Sequence, residues 1–183
     1  MKKYILTLFV FVISISTYGQ RMDMDPNAYP SVNEIKINMS NLIGFKWFDV
    51  SYENILNEES AIGVGLLFSL DDEQEGLEEY RTFSITPYYR HFLSRGYAEG
   101  FFVEAFTMIH SGKDEDYDYD NTSVRNNNDK KYTDFAVGVS VGTKYVTRRG
   151  FIAEVYAGIG RDMLGNSDIE IVGRGGVSIG FRF

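Results

Sequence analysis

IVGRGGVSIGFRF, residues Ile171–Phe183, alternates without a break over its second half. Val177, Ile179, Phe181 and Phe183 interleave with Gly176, Ser178, Gly180 and Arg182. A period of two is the mark of a β-strand, whose successive side chains point to opposite faces. One face is apolar, and the other is small or polar and carries a charge. A strand with two such unlike faces separates an apolar surrounding from a polar one.

The same pattern recurs upstream. Thr133–Val146 sets Phe135, Val137, Val139 and Val141 against Ala136, Gly138, Ser140, Gly142 and Lys144. Phe151–Arg161 sets Phe151, Val155 and Ile159 against Glu154, Tyr156, Gly158 and Gly160. Phe101–His110, Tyr80–Phe92, Ala61–Leu70, Phe48–Leu56 and Glu34–Asn41 behave alike. That predicts eight strands, each of a length to cross a bilayer when tilted, which takes about 9–11 residues. An even number returns both ends of the chain to one side. The predicted fold is all-β: an eight-stranded antiparallel up-and-down transmembrane β-barrel over residues 34–183.

The competing architectures are a soluble eight-stranded barrel and a β-sandwich, in which the apolar face turns inward. The charges argue against both. Glu53, Arg90, Glu104, Lys144, Glu154 and Arg182 all fall near mid-strand on the polar face, and the apolar face is almost uncharged. With those charges on the inner face, a soluble barrel would leave the apolar face in water. In a membrane barrel the apolar face meets lipid and the polar face the lumen.

The first residues, MKKYILTLFVFVISISTYGQ, read as a secretory signal peptide. Lys2 and Lys3 supply the positive start, and Tyr4–Ile15 is apolar but too short to span a bilayer. Thr17 and Gly19 suit a cleavage site, so residues 1–19 are expected to be removed and residues 20–33 to form a periplasmic N-terminal segment. Taking Lys2 and Lys3 from 18 basic residues leaves 16 against 26 acidic ones, a net charge of −10. So acidic a chain is unsuited to nucleic acid. It contains no Cys, which excludes disulfides, thiol catalysis and Cys-ligated metals. Many Gly, Tyr and Phe with only 3 Pro suit continuous sheet.

The connections predict an orientation. Asp71–Glu79, Ser111–Tyr132 and Asp162–Glu170 are long, whereas Asn57–Ser60, Leu93–Gly100 and Thr147–Gly150 are on average shorter. Bacterial barrels have long extracellular loops and short periplasmic turns. The first outer connection, near Asn41–Trp47, is expected to be short. Trp47, Phe48, Tyr52, Phe68, Tyr80, Phe101, Tyr132, Tyr145, Phe151 and Phe183 fall at strand ends, where rings favour the headgroup level.

Few residues carry chemistry. An eight-stranded barrel is just wide enough inside for side chains to fill. Glu53, Glu104 and Glu154 with Arg90, Lys144 and Arg182 are therefore expected to form a closed lumen ion-pair network, since charges removed from water must be paired. Such a network is a plug; the functional alternative is a narrow pore or gate. KDEDYDYDN, Lys113–Asn121, places Asp114, Asp116, Asp118 and Asp120 at alternating positions, the start of a calcium-loop spacing. Tyr119 stands where the turn Gly belongs and Arg125 where the bidentate Glu belongs, which favours a solvated acidic loop. His110, near Ser111 and Asp114, is the one place for a rim catalyst. GIGRDMLG, Gly158–Gly165, has neither the spacing nor the helix of a nucleotide site. No cofactor and no catalytic residue is assigned.

Export signal, eight amphipathic strands, long outer loops and a terminal Phe together resemble the small OmpA/OmpX-like outer-membrane β-barrels. YRTFSITPYYRHFL (Tyr80–Leu93) before GFFVEAF (Gly100–Phe106) is similar to a "TPEYR" strand preceding a "GFYVG" strand in a family of small single-domain barrels of unknown function. NLIGFKWFDVSYE (Asn41–Glu53) and GVSIGFRF (Gly176–Phe183) fit the same pattern. The resemblance covers the mature chain. It implies the outer membrane of a Gram-negative bacterium, outer-membrane lipid as surroundings, a monomer, and Phe183 as the signal read by the barrel-assembly machinery. It implies no activity. The expectation is a non-enzymatic protein with a structural or surface-interaction role through acidic extracellular loops. A narrow channel, or a rim enzyme acting on lipid or peptide, is the alternative.

Overall fold

The computed structural model describes residues 32–70, 81–94, 96–114, 130–164 and 171–183. Among them, eight strands close into a barrel in which every strand pairs with its sequence neighbours and β1 pairs with β8. The strands are β1 (Asn33–Asn38), β2 (Trp47–Asn57), β3 (Ser60–Ser69), β4 (Phe83–Phe92), β5 (Gly100–Asp114), β6 (Lys130–Val146), β7 (Phe151–Asp162) and β8 (Ile171–Arg182). All pairings are antiparallel, and Glu34 opposite Arg182 and Ile37 opposite Ile179 set the closing register. Closure leaves no free edge over the paired span. The β4–β5 ladder is interrupted at Thr86 and Pro87, where proline has no N–H to give.

The alternation read from the sequence sets what each wall shows. In β6, Val137, Val139 and Val141 are exposed, Val139 at 62%, while Ala136, Ser140 and Lys144 are buried. The outer wall is a belt of exposed apolar residues, including Ile62, Phe101, Val155 and Ile179. The barrel is therefore inside-out relative to a water-soluble one.

The interior is stratified. Towards the tight turns, Ile55, Ala61, Phe92, Ala98 and Phe102 form an apolar floor. Towards the long connections, Tyr88, Phe106, Met108, Ala136 and Val172 form a second apolar layer. Missing side chains make room for these rings. A Cβ at Gly142 would lie 2.6 Å from the Phe102 ring and 2.6 Å from the Val155 carbonyl. Glycine there lets a ring from β5 press against β6.

The first connection differs from its expected form. β1 ends at Asn38, three residues before the predicted end, and Met39–Gly44 forms a short helix, α1. The cause is local. The Asn38 side chain accepts a hydrogen bond from Asn41 N–H at 3.2 Å, an N-cap that competes with strand continuation. Met39 and Ser40, which alternation placed in a strand, thus belong to a helix. Tyr132, assigned to the aromatic girdle, is also different: it is buried and inward, its ring edge-on to His110 at 5.9 Å.

Candidate functional site

Strand parity sends nine charged side chains into one lumen network among the described residues. The carboxylates are Glu34, Glu53, Glu104 and Glu154; the cations are Lys36, Arg90, Lys144, Arg174 and Arg182. Arg90, from β4, is its centre. Its Nη1 and Nη2 donate to Glu154 at 2.7 and 3.1 Å, while Nε and Nη2 donate to Glu104 at 3.2 and 2.7 Å. Nη1 also lies 3.0 Å from Glu53. The guanidinium rests 3.8 Å over the Phe102 ring, the ring that Gly142 admits. A planar, five-donor fork suits this multiple engagement better than an ammonium does.

The lysines extend the network towards the tight turns. Lys36 donates to Glu53 at 2.7 Å and to Glu154 at 2.9 Å. Lys144 donates to Glu53 at 2.7 Å and to both oxygens of Glu34 at 3.0 and 2.9 Å, and lies over Phe92. Arg182 donates from Nε to Glu34 at 2.8 Å and caps the carbonyls of Tyr97 and Ala98 at 2.9 and 2.8 Å. Towards the long connections, Arg174 pairs with Glu104, which also accepts from Ser140 Oγ at 3.1 Å. Tyr88 completes Glu53 with a 3.0 Å hydrogen bond. Every one of these buried charges has an opposite partner, the condition under which such charges are tolerated.

All six of the lumen residues named from the sequence point inward. Glu53, Arg90, Glu104, Lys144 and Glu154 join directly, but Arg182 reaches them only through Glu34. Glu34, Lys36 and Arg174 were missed, although each shares strand parity with a residue that points inward: Asn38 in β1 and Arg182 in β8. Position along the strand hid them, since Glu34 starts β1 and Arg174 sits amid glycines.

His110 is not at a strand end. β5 runs on to Asp114, and His110 is buried with Nε2 2.9 Å from Asp162 Oδ1. Ser111 lies on the opposite face of β5, so the two do not form a nucleophile–base pair. Of the acidic candidates, Asp114 closes β5 opposite Lys130, while Asp116, Asp118 and Asp120 lie outside the described residues.

Comparison with known proteins adds to the fold. No protein-family model matches the sequence, and no curated protein does. Among solved structures, the N-terminal beta-barrel domain of Pseudomonas aeruginosa OprF superposes with a TM-score of 0.55 at 12% identity, covering 84% of this chain and 98% of that one. The fold is that of the small OmpA-like eight-stranded barrels.

Proposed function

We propose that this chain is a non-enzymatic, monomeric barrel of the Gram-negative outer membrane whose sealed lumen does not conduct. Its role is then structural or one of surface interaction, exerted at the long-loop end. The apolar outer wall supports the location: exposed Val139 beside buried Ser140 suits lipid outside and polar packing inside. The observation that carries the sealed reading is Arg90, which bridges Glu104 and Glu154 across the interior with Phe102 stacked on it. An ion would have to displace a multiply bonded guanidinium to pass.

Planar-bilayer recording of the refolded protein tests this reading. The wild type is expected to give no discrete conductance steps, and Arg90→Ala is expected to give them if it inserts. Regular openings by the wild type would establish the narrow channel instead. Phe183, which follows β8 and is 47% exposed, is proposed as the end signal for the assembly machinery. Deleting it is expected to lower the amount of heat-modifiable barrel in outer-membrane fractions.

A further inference from the structure

Part of the outer wall is not a strand. β1 stops at Asn38, opposite Ser178, so the long-loop ends of β8 and β2 meet no ladder on that side. α1 fills the opening. Asn38 Nδ2 donates to the Gly175 carbonyl at 3.1 Å, and Val177 N–H donates to Ser40 Oγ at 2.9 Å. Gly176, at φ +145°, lets Ser40 and Asn38 sit against β8 where a Cβ would collide with both. On the β2 side, Asn41 Nδ2 donates to Asp49 at 2.7 Å. Just past the helix, Leu70 N–H donates to the Lys46 carbonyl at 3.0 Å. α1 is thereby bonded into the wall from both sides.

These bonds fix which way the helix faces. Asn41 is buried and turned towards the lumen. Ile43 comes two residues later, about 200° round a helix of 3.6 residues per turn, so it points away from the lumen. It is 75% exposed, the most of any large apolar side chain among the described residues. Nothing in Met39–Gly44 is charged. On the flanking strands the outward residues at this end are also apolar and exposed: Phe68 and Leu70 in and after β3, Ile171 and Val177 in β8. The far side of the barrel ends differently. There the outward faces of β5 and β6 turn polar at Ser111 and Thr133, which stand opposite each other.

We propose that α1 is an interfacial wedge whose partner is the lipid surface: Ile43 packs among acyl chains just below the headgroups at the long-loop end. This rests on the reading that the apolar wall meets lipid. Ile43 continues that wall between Phe68 and Val177, across the one gap that no strand covers. An uncharged helical turn whose polar side chains are bonded to the wall and lumen suits that depth, where an unsatisfied polar group is costly. A protein partner is a poorer fit. One outward apolar side chain on a helix of 6 residues offers far less than the roughly 800 Å² per partner of a stable protein interface.

Trp47 is the single tryptophan of the chain and stacks on Phe45 at 5.1 Å, so Trp47→Phe keeps a ring there. In that background Ile43→Trp reports on α1, and Val139→Trp reports on the middle of the wall. Each full chain is refolded into dioleoylphosphatidylcholine vesicles whose acyl chains are brominated either near the headgroup or near the chain end. Heat modifiability reports folding. Ile43→Trp is expected to be quenched more by the shallow bromine than by the deep one, at a depth of about 5–10 Å into the headgroup–acyl boundary. Val139→Trp is expected to show the reverse order. Folded barrel in which Val139→Trp is quenched but Ile43→Trp is not overturns the wedge and leaves the membrane reading standing. Deep quenching of Ile43→Trp equal to that of Val139→Trp overturns the wedge too. If neither position is quenched, the membrane reading fails and the wedge with it. A wild-type dimer in dodecyl maltoside that Ile43→Asn converts to monomer assigns the face to a second copy and overturns the proposal. If Trp47→Phe does not fold, Ile43→Trp alone is compared with the wild type, and the added fluorescence decides.

Discussion

Arg90 and Arg81 are both buried arginines near the ends of one strand region, yet their surroundings differ. Arg90 sits in the tight-turn half, with its guanidinium shared among Glu53, Glu104 and Glu154 and stacked on Phe102. Arg81 sits in the long-loop half, holds one backbone carbonyl, and leaves Nε unused. The lower half is thus complete in itself. The upper half, where β1 gives way to α1, is closed by side chains and keeps room. In the lower half every charge is matched by direct ion pairs, whereas in the upper half Arg81 hydrogen-bonds a backbone carbonyl.

The sharpest way to break the lower half is Arg90→Ala. It takes the shared guanidinium from three buried carboxylates, leaving Glu53 and Glu154 to the lysines and Glu104 to Arg174, and is expected to cost about 3 kcal/mol, the lower end of the usual penalty for removing one partner of a buried pair. Urea unfolding in lipid vesicles measures it. A loss below about 1 kcal/mol, the scale of an exposed pair, would mean that water reaches the network. Next comes the wall. Val139→Arg is expected to cost about 2–4 kcal/mol if that face meets the bilayer midplane. Its inward neighbour Ser140→Ala loses only the hydrogen bond to the Glu104 carboxylate, which keeps Arg90 and Arg174, about 1.5 kcal/mol. The reverse order would turn the barrel outside in.

The upper half responds more locally. Asn38→Ala removes both the cap of α1 and the bond to the Gly175 carbonyl. A cost of about 0.5–2 kcal/mol is expected from the cap. Hydrogen exchange should quicken at Asn41 and along the uncovered edge of β8, while the amides of β6 are unchanged. Uniform acceleration would show that the two halves are one cooperative unit. The smallest effect is expected from replacing residues 115–129 by a short Gly-Ser turn. Closure entropy grows slowly with loop length, so the barrel should keep its stability to within about 0.5 kcal/mol. Any surface-interaction phenotype should go with the loop.

Much of the barrel was legible because its signal is local. In Thr133–Val146 or Phe101–His110, facing is decided residue by residue, since a strand has only two sides and the apolar set can occupy one. Glu53, Glu104, Glu154, Arg90 and Lys144 were readable for the same reason: each interrupts a small or aromatic face in mid-strand. The short β1 was not, because Asn38 offers the backbone either a ladder or a cap, and Met39 and Ser40 fit both.

What the sequence alone determined was the period-two pattern, and with it eight strands, an apolar outside, a charged inside and the asymmetry of the connections. These follow from residue chemistry at fixed spacing. Which charges meet was decided by the tertiary structure alone. Lys36 finds Glu154 across 118 positions, and Lys144 finds Glu34 across 110. Such pairs depend on closure, which sets β1 against β8 at Glu34 and Arg182 and so brings opposite walls of the lumen within one side chain's reach.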